Sequence, residues 1–364
     1  MEKNKIKMFH FCLPSPVGNF GDDVLFLATK DIFEKIFHDY KIDWINYPLR
    51  NHTTDNVVKK ANSCDLIIVG GGGLLLKDTN PNQYSGWQWA CSLRHLEMIK
   101  KPLIVYSIGY NRFRRQEEFD KIFFKHINAT ISKAAFFSVR SEGSKKALSK
   151  YNLPQDKIIV NPCPSLFYKP KRTKRCQKNE KMKIGINLAG DRSLLRFNDK
   201  KRFYNHLARV FKQMVNRNYE LYFFNHNWNP MNNCQDFIDS IPYQKTIYNI
   251  ETIWGRNDID KAIHFYKSMD LIIAMRGHSQ IIPFGQNKKV VSLISHDKLR
   301  WFLEDVEMEN TGIDVNDKGL HDKLLHLIDQ VLNSKSYLVK QKKGLTKLKK
   351  TYRTNNERVK KSIL

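Results

Sequence analysis

Short apolar runs, each closed by turn residues and followed by a segment with helical spacing, recur along most of the chain. The first run is Lys7 to Cys12. The stretch Pro14-Ser15-Pro16-Val17-Gly18-Asn19-Phe20-Gly21-Asp22-Asp23 then reads as a turn, and Leu25, Ala28, Ile32, Phe33 and Ile36 share one face of a helix between Val24 and Phe37. Ile42 to Tyr47 is a second strand candidate. Asp65 to Val69 is a buried strand that empties into Gly70-Gly71-Gly72-Gly73. Beyond it the spacing predicts a helix over Trp87 to Lys100, a strand over Leu103 to Ile108 and a helix over Glu117 to Ser132. A strand over Ala134 to Val139 ends at Arg140, and Ser141 N-caps another helix.

Pro162, Pro164 and Pro170, followed by the charged run Lys171 to Lys183, interrupt this rhythm as a linker would. The pattern then restarts. Strands are expected at Lys183 to Leu188, Glu220 to Asn225, Leu271 to Met275 and Val290 to Ile294. Helices are expected at Lys200 to Asn216, Ile259 to Met269, Ser279 to Phe284, Lys298 to Val306 and Leu320 to Leu332. Alternating strands and helices predict parallel sheets covered on both faces, and 364 residues exceed one ordinary core. The expectation is an α/β protein of two Rossmann-like domains facing across a cleft. The first spans 1–168, a linker 169–182 and the second 183–334, before a basic C-terminal helix or tail over 335–364.

Composition narrows the partners. A hydrophobic share of 41% supports a packed interior. The longest apolar run, Leu66 to Leu76, is broken by four glycines and falls short of the roughly 20 residues of a membrane span. No signal-peptide core follows Met1, so a cytoplasmic chain is expected. Six scattered cysteines show neither Cys-x-x-Cys nor zinc-type spacing, so no metal site is expected. The net charge of +26 implies an anionic partner, either nucleic acid, an anionic membrane face or a phosphorylated substrate. Lysine-rich composition alone explains part of that excess. Residues 335–364 hold eleven Lys/Arg against Glu357, a net excess of about ten. With Leu338, Val339, Leu345 and Leu348 interspersed, that segment is a candidate for binding the inner face of a membrane.

Candidate chemistry gathers at strand ends, where open α/β sheets bind ligands. The run Asp270-Leu-Ile-Ile-Ala-Met-Arg276-Gly-His278 ends a buried strand with a guanidinium and an imidazole two residues apart. Arg276 offers a fork of donors for carboxylate or phosphate, and His278 trades a proton near neutrality. Arg140 ends another strand. Gly71, Gly72 and Gly73 belong to a turn whose N–H groups can cradle phosphate, or one that merely packs tightly. Asn19, Asp22, Asn187, the Asn225-His226-Asn227-Trp228 turn and Lys298 complete the set. Asp22 is either a helix-start carboxylate or a contact for sugar hydroxyls.

In this order, Gly18-Asn19-Phe20-Gly21-Asp22, Asp65-Leu-Ile-Ile-Val-Gly-Gly-Gly-Gly, Phe137-Ser-Val-Arg140-Ser-Glu-x-Ser144, Met275-Arg-Gly-His278 and His296-Asp-Lys298 resemble the polysaccharide pyruvyltransferases over residues 8 to 305. The resemblance implies a fold like the two-domain GT-B glycosyltransferases. It also implies transfer of pyruvate from phosphoenolpyruvate onto two hydroxyls of one sugar in a cell-surface or capsular polysaccharide precursor, often lipid-linked, with release of phosphate. Arg140 and Arg276 would hold the donor's carboxylate and phosphate, and His278 would protonate its methylene carbon. Asn19, Asp22, Gly71, Gly72, Gly73, Asn187, His226 and Lys298 would line the substrate site, with Asp22 and His226 the candidate bases. No metal or redox cofactor is called for. One departure stands out: Gln286-Asn287-Lys288-Lys289 replaces the Gly-x-Pro turn the family pattern leads one to expect.

Two other readings compete. A GT-B glycosyltransferase would use the same loops for a nucleotide sugar. A basic nucleic-acid-binding protein would explain the charge, although no recognition-helix, zinc-finger or aromatic-strand signature accompanies it.

Overall fold

A computed structural model of the chain describes residues 3–13, 19–170, 181–227, 234–240, 249–252 and 259–363. The turn 14–18, residues 171–180 of the expected linker and Trp228 lie outside the described residues.

The first lobe contains strands β1 (Asn4–Cys12), β2 (Tyr40–Pro48), β3 (Leu66–Leu75), β4 (Leu103–Tyr110), β5 (Phe136–Val139) and β6 (Ile158–Val160). They form one parallel sheet in the order β2-β1-β3-β4-β5-β6. The second lobe contains β7 (Lys183–Asn187), β8 (Glu220–Asn225), β9 (Asn249–Thr252), β10 (Leu271–Ala274), β11 (Lys289–Ile294) and β12 (Gly312–Asp314), ordered β12-β11-β10-β7-β8-β9. Each sheet therefore winds away from its first strand in one direction and then returns to the other side. The resulting switch points lie between β1 and β3 and between β7 and β10. Crevices for ligands open at such points, beyond the strands' carboxyl ends.

Burial explains which strands read as continuous apolar runs. Leu66 to Val69 in β3 and Leu271 to Ala274 in β10 are fully buried, as central parallel strands covered by helices must be. Alternate residues of the first sheet feed separate cores. Phe9, Phe11, Ile67 and Val69 face one, and Ile6, Met8, Leu66 and Ile68 the other. The second lobe's core extends into the first: Phe20, Val24, Leu25 and Ala28, from the helix Phe20–Ile36, belong to it. Backbone contacts reinforce this joint, since the Phe20 N–H donates to the His226 carbonyl at 2.9 Å and Asn19 bridges Asn227.

Two expectations fail. The Gly70–Gly73 stretch is no strand-to-helix turn, because β3 runs through all four glycines to Leu75. The Trp87–Lys100 segment is helical only over Leu93–Met98, where Ser92 caps the first turn. Trp87 and Trp89 instead anchor an extended loop, both fully buried, while Gln88 and Ala90 pair with the backbone of Leu74 and Leu49. Burial of two indoles outweighed helical periodicity there. At the Gly-x-Pro departure, Asn287 adopts the left-handed conformation (φ 60°), which asparagine tolerates. Gln286 ties this turn to the Tyr168 carbonyl.

The basic C-terminal segment is a single helix, Tyr337–Lys361, shared by both lobes. Its buried residues recur every three or four positions. The Tyr337 hydroxyl accepts from the Val290 N–H, and Gln341 donates to the Phe284 and Lys288 carbonyls in the second lobe. Further along, Tyr352 and Val359 enter the first lobe's core and Asn355 donates to the Val160 carbonyl. Leu345 and Leu348 pack inward, leaving Leu338 and Val339 exposed. No described helix is long and apolar enough to cross a membrane.

Two histidines sealed in the first lobe make stability depend on pH. Burial lowers His10 to about 4 and His126 to about 4. The unfolded chain binds protons at these rings near pH 6.5 and the folded chain does not, so stability falls as pH drops through that window. At pH 5 each ring is expected to cost about 2 kcal/mol. Urea denaturation between pH 7.5 and 5 checks this. His126→Gln, which keeps an acceptor for the Trp87 indole, should remove one share of the slope, and an unchanged slope refutes the assignment.

Candidate functional site

The two switch points open onto one cavity of about 350 Å³ between the lobes. Loops from both sheets line it. Asn19 and Asp22 follow β1, Arg50 follows β2 and Gly73 lies near the end of β3. Asn111 follows β4 and Arg140 follows β5. From the second lobe come Asp191, Arg192 and Arg196 after β7, His226 after β8, Met275 to His278 after β10, and Lys298 after β11. Helices beginning at Phe20, Gly277 and Asp297 start among these residues, so the positive ends of three helix dipoles meet near the cavity.

Of the residues singled out in the sequence, Asn19, Asp22, Gly73, Arg140, His226, Arg276, His278 and Lys298 line this space. Gly71, Gly72 and Asn187 do not. Gly71 packs on Leu25 and Gly72 on Leu13. The fully buried Asn187 amide donates to the Phe224 carbonyl at 2.9 Å, bracing β7 against β8. Arg50, Asn111, Asp191, Arg192 and Arg196 were not anticipated. Each follows a strand's carboxyl end, so the rule that found Arg140 applied equally to them.

Five arginines and Lys298 face the cavity with only Asp22 and Asp191 among the acidic lining residues. Asp191 serves the second-lobe cations: its Oδ1 accepts from Arg276 Nη2 at 2.5 Å, and its Oδ2 from Arg196 Nη2 at 3.0 Å and Arg192 Nη1 at 3.3 Å. Burial would raise this carboxyl, but Arg276, Arg196 and Arg192 hold it far below the carboxylate range. The other cations have neutral company. Arg50 forks onto the Gln88 side-chain oxygen at 2.9 and 2.7 Å. The Lys298 ammonium donates to Asn111 Oδ1 at 2.7 Å. Arg140 has no hydrogen-bond or ion-pair partner among the described residues, and its guanidinium lies against Gly109, where an added Cβ would sit 2.4 Å from Nε.

Burial, with the neighbouring charges second, shifts the ionisable groups here. Burial, then Arg140 and Arg196, push the Lys298 ammonium well below its ordinary value. Burial, then Arg140, His226 and Lys298, push His278 well below 6.5. The His278 ring has room only because residue 21 is glycine, since a Cβ there would meet Nδ1 at 2.0 Å. His278 Nε2 lies 3.8 Å from the buried Cys163 sulfur. His226, hydrogen-bonded to the Tyr266 hydroxyl, falls to about 3 through burial and Arg276, and is too weak a base for proton abstraction near neutrality. Asp22 moves the other way. Burial raises it despite Arg50, Lys298 and Arg140, making it a stronger base than an ordinary carboxylate. No metal-binding cluster of His, Cys, Asp or Glu occurs among the described residues. The arrangement can hold a small polyanion, hand it a proton from one side and remove a proton on another.

Solved structures share this architecture. A putative UDP-N-acetylglucosamine 2-epimerase from Listeria monocytogenes superposes with TM-score 0.58 at 13% identity, covering 93% of this chain and 90% of its own. The S. aureus MnaA–UDP structure gives 0.53 at 14%, covering 94% and 91%. Anabaena HepE in complex with UDP gives 0.54 at 12%, covering 97% and 98%. A comparison with curated proteins finds no match. Two Rossmann-like lobes facing a cationic cavity thus define a GT-B-like α/β fold. The sequence profile of the polysaccharide pyruvyl transferases matches residues 19–297, and the chain belongs to that family. It is a transferase, and the family's activity is pyruvyl transfer to polysaccharide.

Asp191 is expected to act as the counter-ion of the unliganded cavity. Asp191→Asn leaves three guanidinia facing one another and should lower stability by about 3 kcal/mol. Millimolar inorganic phosphate should then raise the melting temperature more in the variant than in the parent. Thermal unfolding with and without phosphate measures both effects, and equal shifts would show that Asp191 is not the group an anion displaces.

Proposed function

We propose that the chain moves the pyruvyl group of phosphoenolpyruvate onto two hydroxyls of one sugar in a polysaccharide precursor, forming a cyclic ketal and releasing phosphate. The observation that carries this reading is the uncompensated Arg140 guanidinium beside Lys298 and His278 in one interlobe cavity. Phosphoenolpyruvate brings a carboxylate and a phosphate, which Arg140 and Arg276 grip as forked donors with Lys298 adding a point charge.

The residue types divide the work. In the empty site His278 is neutral because burial and three cationic or basic neighbours disfavour its charge. The incoming anion reverses that field and lets the ring become imidazolium. The Asp22 carboxylate takes the proton of the first sugar hydroxyl as its oxygen bonds to C2 of the enol. His278 delivers its proton to C3, which becomes the methyl group. The C2–O bond to phosphate then breaks, the second hydroxyl attacks C2 and its proton leaves with the phosphate. One hydroxyl proton thus balances the methyl and the other the released hydrogen phosphate. The chain's own Arg and Lys side chains stabilise the charge throughout.

The competing ligand is a nucleotide sugar, because the similar S. aureus and Anabaena structures are UDP complexes. The products distinguish the two readings. With phosphoenolpyruvate and galactose-, mannosamine- or glucose-containing acceptors, the expected outcome is free phosphate and a sugar heavier by one pyruvyl ketal. Release of a nucleoside diphosphate from a nucleotide sugar would replace this reading by glycosyl transfer. His278→Ala should lower kcat by about 10²–10⁴-fold, and Arg276→Ala should abolish detectable turnover. Both should fold, as circular dichroism would verify. Activity retained by both variants overturns the assignment.

A further inference from the structure

The C-terminal helix buries one face against the two lobes and leaves the other to solvent. On the outward face, Val339, Lys342, Lys349, Lys350 and Arg353 align by helical spacing, all exposed. Lys343 and Lys347 at its margin pair with Glu307, whereas Lys342, Lys349, Lys350 and Arg353 have no ion-pair partner among the described residues. Leu338 and Val339, 48% and 70% exposed, sit at the start of this stripe. The other exposed large hydrophobics among the described residues are Ile122 and Leu194, far away in sequence.

We propose that this outward face docks on an anionic lipid bilayer, with the lysine stripe over the headgroups and Leu338 and Val339 entering the headgroup–acyl boundary. The apolar pair decides between anionic partners. A nucleic-acid backbone attracts the lysines but offers nothing to two adjacent aliphatic side chains, whereas a membrane interface accommodates both. Rigidity supports the same choice. The helix is strapped to both lobes through Tyr337, Gln341, Tyr352 and Asn355, so its charged face is presented as a fixed surface. This inference does not depend on which donor the cavity binds.

Truncating the helix would expose both lobes, so the test uses surface substitutions in the full chain. One variant carries Lys342→Gln, Lys349→Gln, Lys350→Gln and Arg353→Gln, and a second carries Leu338→Ser and Val339→Ser. Co-sedimentation is measured with phosphatidylcholine vesicles with and without phosphatidylglycerol, and binding to duplex RNA at the same ionic strength. The parent should bind only the anionic vesicles, the charge variant about tenfold more weakly or worse, and the apolar variant more weakly on vesicles while unchanged on RNA. Melting temperatures unchanged from the parent would exclude misfolding. Vesicle binding undiminished in either variant, no vesicle binding by the parent, or a preference for RNA shared by parent and apolar variant would each overturn the proposal.

Discussion

Cationic side chains packed against one another repel and lose hydration, and the cavity between the lobes survives only because that cost is met locally. Two solutions are used side by side. In the second lobe Asp191 draws Arg276, Arg196 and Arg192 onto one carboxylate, and Arg192 also forks onto Asp78 of the first lobe at 3.0 Å through both nitrogens. Elsewhere amide oxygens replace carboxylates, Gln88 for Arg50 and Asn111 for Lys298. An amide satisfies donor geometry without cancelling charge. Those cations keep their field available to a ligand, whereas the cluster around Asp191 must first be released.

The lobes have to be held in register for this to work, because the cavity takes residues from both. The helix Phe20–Ile36 contributes Asp22 to the cavity while Phe20 and Val24 belong to the second lobe's core. Arg114 pairs with Asp297 and Asp314 across the seam, and the His296 ring bonds the Asn111 carbonyl while accepting from the Lys298 N–H. That pair of contacts places the His296 proton on Nε2 and leaves the ring neutral. It also fixes Asn111, whose side chain orients Lys298. The C-terminal helix closes the structure at the back by bonding to both lobes. Site geometry and interlobe packing therefore rest on the same side chains.

Much of this was legible in the sequence, for a definable reason. Fully buried parallel strands are unbroken apolar runs, so β3, β4, β7, β10 and β11 announced themselves, and polar residues close to several of their carboxyl ends were site candidates. The edge strands β6, β9 and β12 did not: β6 and β12 are three residues long, and β9 has Ile250 as its one aliphatic residue. Where the strand-exit rule was applied it found Arg140, Arg276, His278 and Lys298. Arg50, Asn111 and Asp191 were missed because they stand beyond the expected strand ends: the strand expected to stop at Ile108 runs to Tyr110, just before Asn111, and Asp191 lies past the end of β7 at Asn187. Gly70 to Gly73 misled because glycine marks a turn and a close approach alike, and here the strand continues through them against Leu25 and Leu13. Asn187 misled because a polar residue at a strand end can also be a brace between strands.

The field in the cavity bears on the order of events. His278 and Lys298 are both driven toward their neutral forms by burial and then by Arg140, and Asp22 toward its protonated form by burial. An empty site is thus poised with fewer charges than its residue types suggest. A polyanion entering it stabilises the cationic forms of His278 and Lys298 and makes Asp22 harder to ionise, unless Arg50 and Arg140 remain close enough to offset it. In the proposed reaction, His278 as acid and Asp22 as base would become competent together only when the anion's charge is taken up chiefly by Arg140 and Arg276, leaving Arg50 to serve Asp22. Both members of that proposed pair would then depend on where the arginines go, which singles out the Asp191–Arg276 contact as the point where ligand binding and the proposed proton transfers meet.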